Sequence, residues 1–363
     1  MSYTQMSKTM VDDNMLARML VVLVCLSASI LGLTGCSTED GVSQEKSLVA
    51  TGLVEAIEGD RFMESVRAMH KSGDILYLTG RGYDHIFALD DGLGVIRTFG
   101  RSGEGPGEFS EAPGFIYVEG DRVYAYRGRS IHVFSLEGDF LRSFSVGLRR
   151  GPWSQGISVN NQGDVYIASV LPQDPYSSIT KFDSSGTVIK TFGELLTTSY
   201  PENLNRRLSE RRITLINNEY LLAVGELIPV IEKYSLNGEL IQSSDLSDTP
   251  YFRERLDHSE DLYSQATGGP IGVAMVINYM ATLNSRLYLL LIEGYPEVGT
   301  NVNRLLEIDL ESLNILDVYT LLDHQGGTLR WVDAFEFVSE DELLVFHYTD
   351  GVFYRYKDRD LFQ

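Results

Sequence analysis

Residues 89–109 read LDDGLGVIRTFGRSGEGPGEF. The first half is an Asp/Gly turn, two apolar residues, a polar one and a short strand ending at Phe99. Asp and Gly mark turns because Asp bonds nearby backbone and Gly reaches positive φ without steric strain. The same unit returns as FSLEGDFLRSFS from Phe134, FDSSGTVIKTFG from Phe182, YSLNGELIQSSD from Tyr234 and, more loosely, IDLESLNILDVY from Ile308. Its apolar pairs begin at Val95, Phe140, Val188, Leu240 and Ile315, at spacings of 45, 48, 52 and 75 residues. Recurrence on this scale marks a repeat architecture, which has to be recognised before any single motif is read.

A second unit falls between these, a turn followed by a short apolar strand. It occurs as DILYLTG from Asp74, DRVYAYR from Asp121, GDVYIAS from Gly163, NEYLLAVG from Asn218, SRLYLLLIEG from Ser285 and DELLVFHY from Asp341. Tyr77, Tyr124, Tyr166 and Tyr288 hold the same place in four of the copies. About 45 residues and four strands per unit is the size of a propeller blade. The expected blades are Val66–Phe99, Phe115–Val146, Gly156–Phe192, Arg212–Ser244, Gly272–Leu321 and a last one built from Trp331–Val338, Leu343–His347 and Val352–Tyr356. The sixth blade lacks a fourth strand, and Ser47–Ile57 is an orphan strand before the first blade. The reading is therefore all-β: a six-bladed β-propeller with four-stranded antiparallel blades, the N-terminal strand completing the last blade. A pair of β-sandwiches is the alternative, but there is no break in composition to divide them.

The second half of the opening stretch, RSGEGPGEF, joins an outer strand to the next inner one. A phosphate-binding loop would lead into a helix whose N-terminus faces the anion, but the residues that follow, SEAPGFIYVEGDRVYAY, carry a strand pattern. The glycines read instead as a crossover between blades. FGRSGEGPGEF resembles the blade-connecting signature of NHL-type propellers. More closely, it is similar to that of a family of six-bladed propeller lipoproteins of Gram-negative bacteria. The architecture covers roughly residues 48–363, although the full glycine signature occurs once and Thr191 onward keeps only its first residues. The resemblance implies the fold and a lipid anchor; it brings no catalytic motif.

The N-terminal segment is read apart from the fold. Arg18 precedes the apolar run Met19–Leu33, which is short for a membrane span and suited to a signal peptide. Leu33-Thr34-Gly35-Cys36 resembles the bacterial lipobox, in which the cysteine is lipidated and becomes the new N-terminus. Residues 1–35 are thus expected to be a lipoprotein signal peptide, with Met15 as an alternative start, and residues 36–47 a lipidated Cys36 followed by a polar tether. Ser37, where an Asp would favour the inner membrane in the enteric sorting rule, points to the outer membrane. With Cys25 in the signal and Cys36 acylated, the mature chain has no disulfide, and packing alone holds it.

The chain has 363 residues, about 43% of them apolar, and a formal net charge of −21. That charge excludes nucleic acid as a principal partner, because phosphate binding needs a basic face. The six histidines show no HxH or HExxH spacing, and GPWSQG at Gly151 has no strand–turn–helix context. No catalytic, metal or cofactor site is expected. In a propeller the loops between the second and third strands and those between blades share one face. Arg81, Arg101, Arg127, Arg129, Arg149, Arg150, Arg206, Arg207, Arg211 and Arg212 are expected in those loops, with Tyr83, Trp153, Tyr176 and Tyr295 as aromatic platforms. The candidate ligand-binding set is Arg81, Tyr83, Arg101, Arg127, Arg129, Arg149, Arg150 and Trp153, because guanidinium forks suit carboxylate, phosphate or sulfate and flat rings suit sugars or peptides. The bland alternative is that these arginines only offset nearby Asp and Glu. The expected function is a monomeric binding module of the cell envelope, its partner a protein, peptide or glycan. The alternative is a propeller enzyme of the lactonase, lyase or hydrolase type. The inner strands read as mostly apolar, and this favours binding.

Overall fold

The computed structural model describes residues 44–54, 63–148, 155–169, 174, 176–264, 274–295 and 299–357. They form a six-bladed β-propeller of antiparallel sheets. Strands a to d of each blade run from the axis outward. Blade 1 is β3 (Val66–Ser72), β4 (Ile75–Gly80), β5 (Ile86–Leu89) and β6 (Val95–Phe99), and blade 2 is β7 (Phe115–Glu119), β8 (Arg122–Arg127), β9 (Ser130–Ser135) and β10 (Phe140–Ser145). Blade 3 is β11 (Ile157–Val159), β12 (Val165–Ile167), β13 (Ser177–Phe182) and β14 (Val188–Glu194), and blade 4 is β15 (Arg211–Ile216), β16 (Tyr220–Gly225), β17 (Val230–Ser235) and β18 (Leu240–Asp245). Blade 5 is β19 (Ile277–Leu283), β20 (Arg286–Glu293), β21 (Asn301–Asp309) and β22 (Ile315–Leu322), and blade 6 is β23 (Val332–Ser339), β24 (Glu342–His347) and β25 (Val352–Lys357). The expected blades and their bounds hold to within a few residues.

The fourth strand of blade 6 is β2 (Gly52–Val54), which pairs antiparallel with β25, Leu53 opposite Tyr354. The middle of the orphan segment therefore closes the ring as expected, while its first residues, Ser47 to Val49, pair with blade 5 instead, and β23 packs beside β3. A further strand, β1 (Gln44–Val49), was not expected: it adds parallel to β22 and makes blade 5 five-stranded. The polar tether read as far as residue 47 is corrected here, since Gln44 to Ser47 lie in a ladder. The composition misled because β1 is held by backbone bonds and charge more than by apolar burial. Lys46 pairs with Asp317 at 2.8 Å and stands over the Tyr319 ring, Glu45 accepts from Arg304, and Leu48 is buried. An edge strand covered in this way no longer offers a free pairing edge.

The repeats record how blades touch. Gly138, in the turn between strands c and d of blade 2, has φ +92° and lies so close to Phe99 that an added Cβ would meet the Cβ of Phe99 at 2.8 Å and its ring carbons at 2.9 and 3.0 Å. Gly186 over Phe144 and Gly238 over Phe192 repeat the contact. From the other side of the interface, buried b-strand tyrosines reach the c–d turn of the following blade, Tyr77 donating to Leu136 O at 3.5 Å and Tyr166 to Leu236 O at 3.1 Å. Each blade therefore seats its c–d turn on the face of the one before it.

The long segments between blades 3 and 4 and between blades 4 and 5 contain helices, which the sequence pattern did not reveal. Glu202–Leu208 forms α1 and Pro250–Ser264 forms α2. α2 buries only Phe252, Ser259 and Tyr263, an inward stripe too thin to stand out against its charged residues.

Candidate functional site at the loop-bearing mouth

Antiparallel meandering within each blade gathers the b–c loops and the crossovers between blades at one end of the ring. The a–b and c–d turns gather at the other. At the loop-bearing end the crossover of residues 100–114 is a turn packed over a side chain, with no helix after it. Phe109 is fully buried beneath Gly100, whose φ is +76°. Glu108 holds the turn from inside, accepting from Gly105 N at 2.8 Å and from Arg101 at 2.7 Å. Asp84, in the b–c loop of blade 1, accepts from Ser102 N at 2.9 Å and ties that loop to the turn.

The structure brings part of the expected arginine set together. Burial, then the charge of Arg81, lowers the basicity of Arg67; burial, then the charge of Arg67, lowers that of Arg127. The three guanidinium groups therefore share one electrostatic neighbourhood across blades 1 and 2. Arg127 pairs with Glu111, and its Nε is buried with no hydrogen-bond partner among the described residues. Arg67 and Arg81 form no ion pair among the described residues. Next to this cluster lies a groove of about 600 Å³ between the glycine turn and the outer strands of blade 2, lined in part by Glu108, Arg127, Arg129, His132 and Phe140. Burial pushes the His132 imidazole down, favouring its neutral form.

Other expected members fall elsewhere. Arg101 is at the mouth but spent on Glu108. Tyr83 is half-buried, edge-on to Phe87 at 5.3 Å, and serves packing rather than a free platform. Arg206 and Arg207 lie in α1 and pair with Glu202 and Glu210. Arg211 and Arg212 are not loop residues: they open β15, both buried, Arg211 on Glu232 at 2.5 Å. Arg149, Arg150 and Trp153 lie outside the described residues, as does Cys36. Sequence reading missed Arg67 because it sits inside a strand; the signal was its place as the only charged residue in VRAMH, one step past the crossover.

The axis is more polar than the inner-strand sequences suggested. A cavity of about 220 Å³ runs between the six a-strands, its wall including His70, Tyr117, Thr214, Tyr279 and Glu336. Burial pushes the Glu336 carboxyl up to about 8 and the His70 imidazole down to about 4, so both are uncharged at neutral pH. The His70 ring tilts on Tyr117 with centroids 4.8 Å apart. Gln155 crosses the channel: its amide donates to Met280 O at 2.6 Å and accepts from Met280 N at 2.7 Å. Arg212, 1% exposed, donates to Ile277 O at 3.3 Å and lies 3.9 Å from Glu226. The Tyr279 hydroxyl accepts from Met69 N at 2.8 Å. A few polar residues scattered along the a-strands are too sparse to read from composition; only ring closure aims them at a common axis.

Neither the protein-family models nor the curated proteins contain a match to this chain. Solved structures do resemble it. A Bacteroides fragilis protein described as exported aligns with a TM-score of 0.52 at 10% identity, over 83% of this chain and 88% of that one. Streptogramin B lyase aligns at 0.48 and 15% identity, over 85% and 87%. The WD40 domain of Neurospora crassa Pan2 aligns at 0.49 and 9% identity, over 81% and 89%. The first of these likenesses supports the propeller fold, and at such identity it speaks to fold alone.

Proposed function

We propose that this chain is a lipid-anchored propeller of the cell envelope that binds an anionic group on a protein, peptide or glycan partner through Arg67, Arg81 and Arg127. The observation that carries this reading is the convergence of like charge. In a chain of net charge −21, Arg67 lies in the field of Arg81 and Arg127 in the field of Arg67, and Arg67 and Arg81 have no carboxylate partner among the described residues. Partly dehydrated like charges destabilise a fold, and such arrangements recur where a ligand supplies the counter-charge. The guanidinium fork matches carboxylate, phosphate and sulfate oxygens in pairs. Arg129 and the rings of His132 and Phe140 extend the surface along the groove. The anchor rests on Leu33-Thr34-Gly35-Cys36 after an apolar run, and Ser37 favours the outer membrane.

Calorimetric titration of a soluble form beginning at Ser37 with a hexaglutamate peptide tests the binding reading. Replacing Arg67 and Arg81 together by Gln should weaken binding by about tenfold or more, since each hydrogen bond to a charged group is worth roughly 1.5–3 kcal/mol. Undiminished binding by the double variant, at unchanged Tm, would sink it. The second reading, catalysis in the channel, is favoured by one observation: His70 and Glu336 share a cavity with acid–base properties pushed in opposite senses. It stands or falls on turnover of an ester or lactone by the purified protein.

A further inference from the structure

We infer that the c–d-turn end of the ring faces the bilayer and that the arginine mouth faces away from it, an inference that rests on the lipidation of Cys36 proposed above. β1 runs parallel to β22, and β22 runs from its c–d turn towards the crossover that leads into blade 6. Gln44, opposite Asp317, therefore lies beside the c–d turn of blade 5 (residues 310–314), while Val49, opposite Leu322, lies at the other end. Gln44, the first described residue, thus lies at the end opposite Arg67, Arg81 and Arg127.

Length then decides. Eight Cα–Cα steps separate Cys36 from Gln44, a reach of at most about 28 Å when fully drawn out. A relaxed polar chain of that length spans about 16 Å. β1 alone, six residues, is about 20 Å long. Chain reach from Cys36 therefore favours the c–d-turn end at the lipid surface. Turning the mouth downward would require the tether to double back along the blade, nearly straight.

Six of the ten large exposed apolar side chains among the described residues lie at the c–d-turn end, whereas Val49, Tyr176, Leu262 and Tyr348 lie at the mouth end. Ile96, Leu141, Val188, Ile189, Leu240 and Ile241 are each about half exposed. All are first or second residues of an outer strand, next to the c–d turns of blades 1 to 4. They put a broken apolar rim on the end where Gln44 lies. Asp91, Asp139, Asp183 and Glu239 in the same turns repel anionic lipid, so the surface this rim suits is a zwitterionic one.

The full lipidated protein, reconstituted into phosphatidylcholine vesicles containing headgroup-nitroxide lipid, provides the test. Cys36 is the only cysteine after the signal segment and its thiol is acylated, so single introduced cysteines can be labelled. A fluorophore at Ser184→Cys, in the c–d turn of blade 3, should be quenched several-fold more than one at Thr349→Cys, in the b–c loop of blade 6. Equal quenching, or stronger quenching at 349, overturns the orientation while leaving lipidation standing. A Cys36 peptide without acyl mass, with failure of the protein to float with the vesicles, overturns the lipidation reading and the orientation together.

Discussion

Replacing Glu336 by Gln should make the protein less sensitive to alkaline pH. Glu336 lies on β23 facing the channel, and burial pushes its carboxyl up to about 8. In the unfolded chain a Glu titrates near about 4.3. Between those values the native state holds a proton that the unfolded state has lost, so stability falls as pH rises, by about 1.4 kcal/mol per pH unit. His70 works in the opposite sense. Its imidazole, pushed down to about 4, takes up its proton only in the unfolded chain at intermediate pH, so its contribution grows with pH and levels off near about 6.5. From about pH 6.5 to 8 the Glu336 slope is the one that remains of the two, and it amounts to at most about 2 kcal/mol. Gln keeps the size and the acceptor that Phe337 N reaches at 3.1 Å, and it cannot ionise. Urea unfolding of both proteins at several values across that window is the assay. The stability advantage of the variant should widen by up to about 2 kcal/mol, while the other histidines titrate alike in both proteins and cancel. An advantage that stays constant across the window would refute the burial of a protonated carboxyl at position 336.

Two further outcomes follow from the closure of the ring. Gln155→Leu strips Met280 N and O of their partner and should lower stability by about 2–4 kcal/mol, seen in calorimetry as a Tm drop of roughly 5–10 °C; a loss under about 1 kcal/mol would mean that the bridge does not hold blades 3 and 5 together. A chain beginning at Ala50 keeps β2 and should still unfold in one cooperative step at reduced denaturant, whereas a chain beginning at Glu55 loses the outer strand of blade 6 and should lose that cooperativity. Indistinguishable denaturation curves for the two truncations would contradict the closing role of β2.

The fold was legible because its decisive contacts are local and repeated. The c–d-turn Gly over a Phe of the preceding outer strand recurs in blades 2, 3 and 4, as in Gly138 over Phe99, because these blades solve the same packing problem. β1 was not legible, since a parallel strand held by Lys46–Asp317 and by a backbone ladder carries no alternating apolar pattern. α2 was masked by its own charge. Among the candidate arginines, the loop positions of Arg81 and Arg129 could be read from turn spacing, but the place of Arg127 at the end of β8 and the burial of Arg211 and Arg212 could not, because one residue of register moves a side chain from a loop into a strand.

Periodicity by itself determined the blade count, the strand order and the need for an N-terminal strand to complete the last blade, since each is a statement about neighbours along the chain. Only the tertiary structure decided which polar groups meet. Arg67, Arg81 and Arg127 come from three strand ends as many as 60 residues apart, and His70 and Glu336 from strands at opposite ends of the sequence. Their charge states depend on burial and on groups brought near through space, and neither exists until the ring closes.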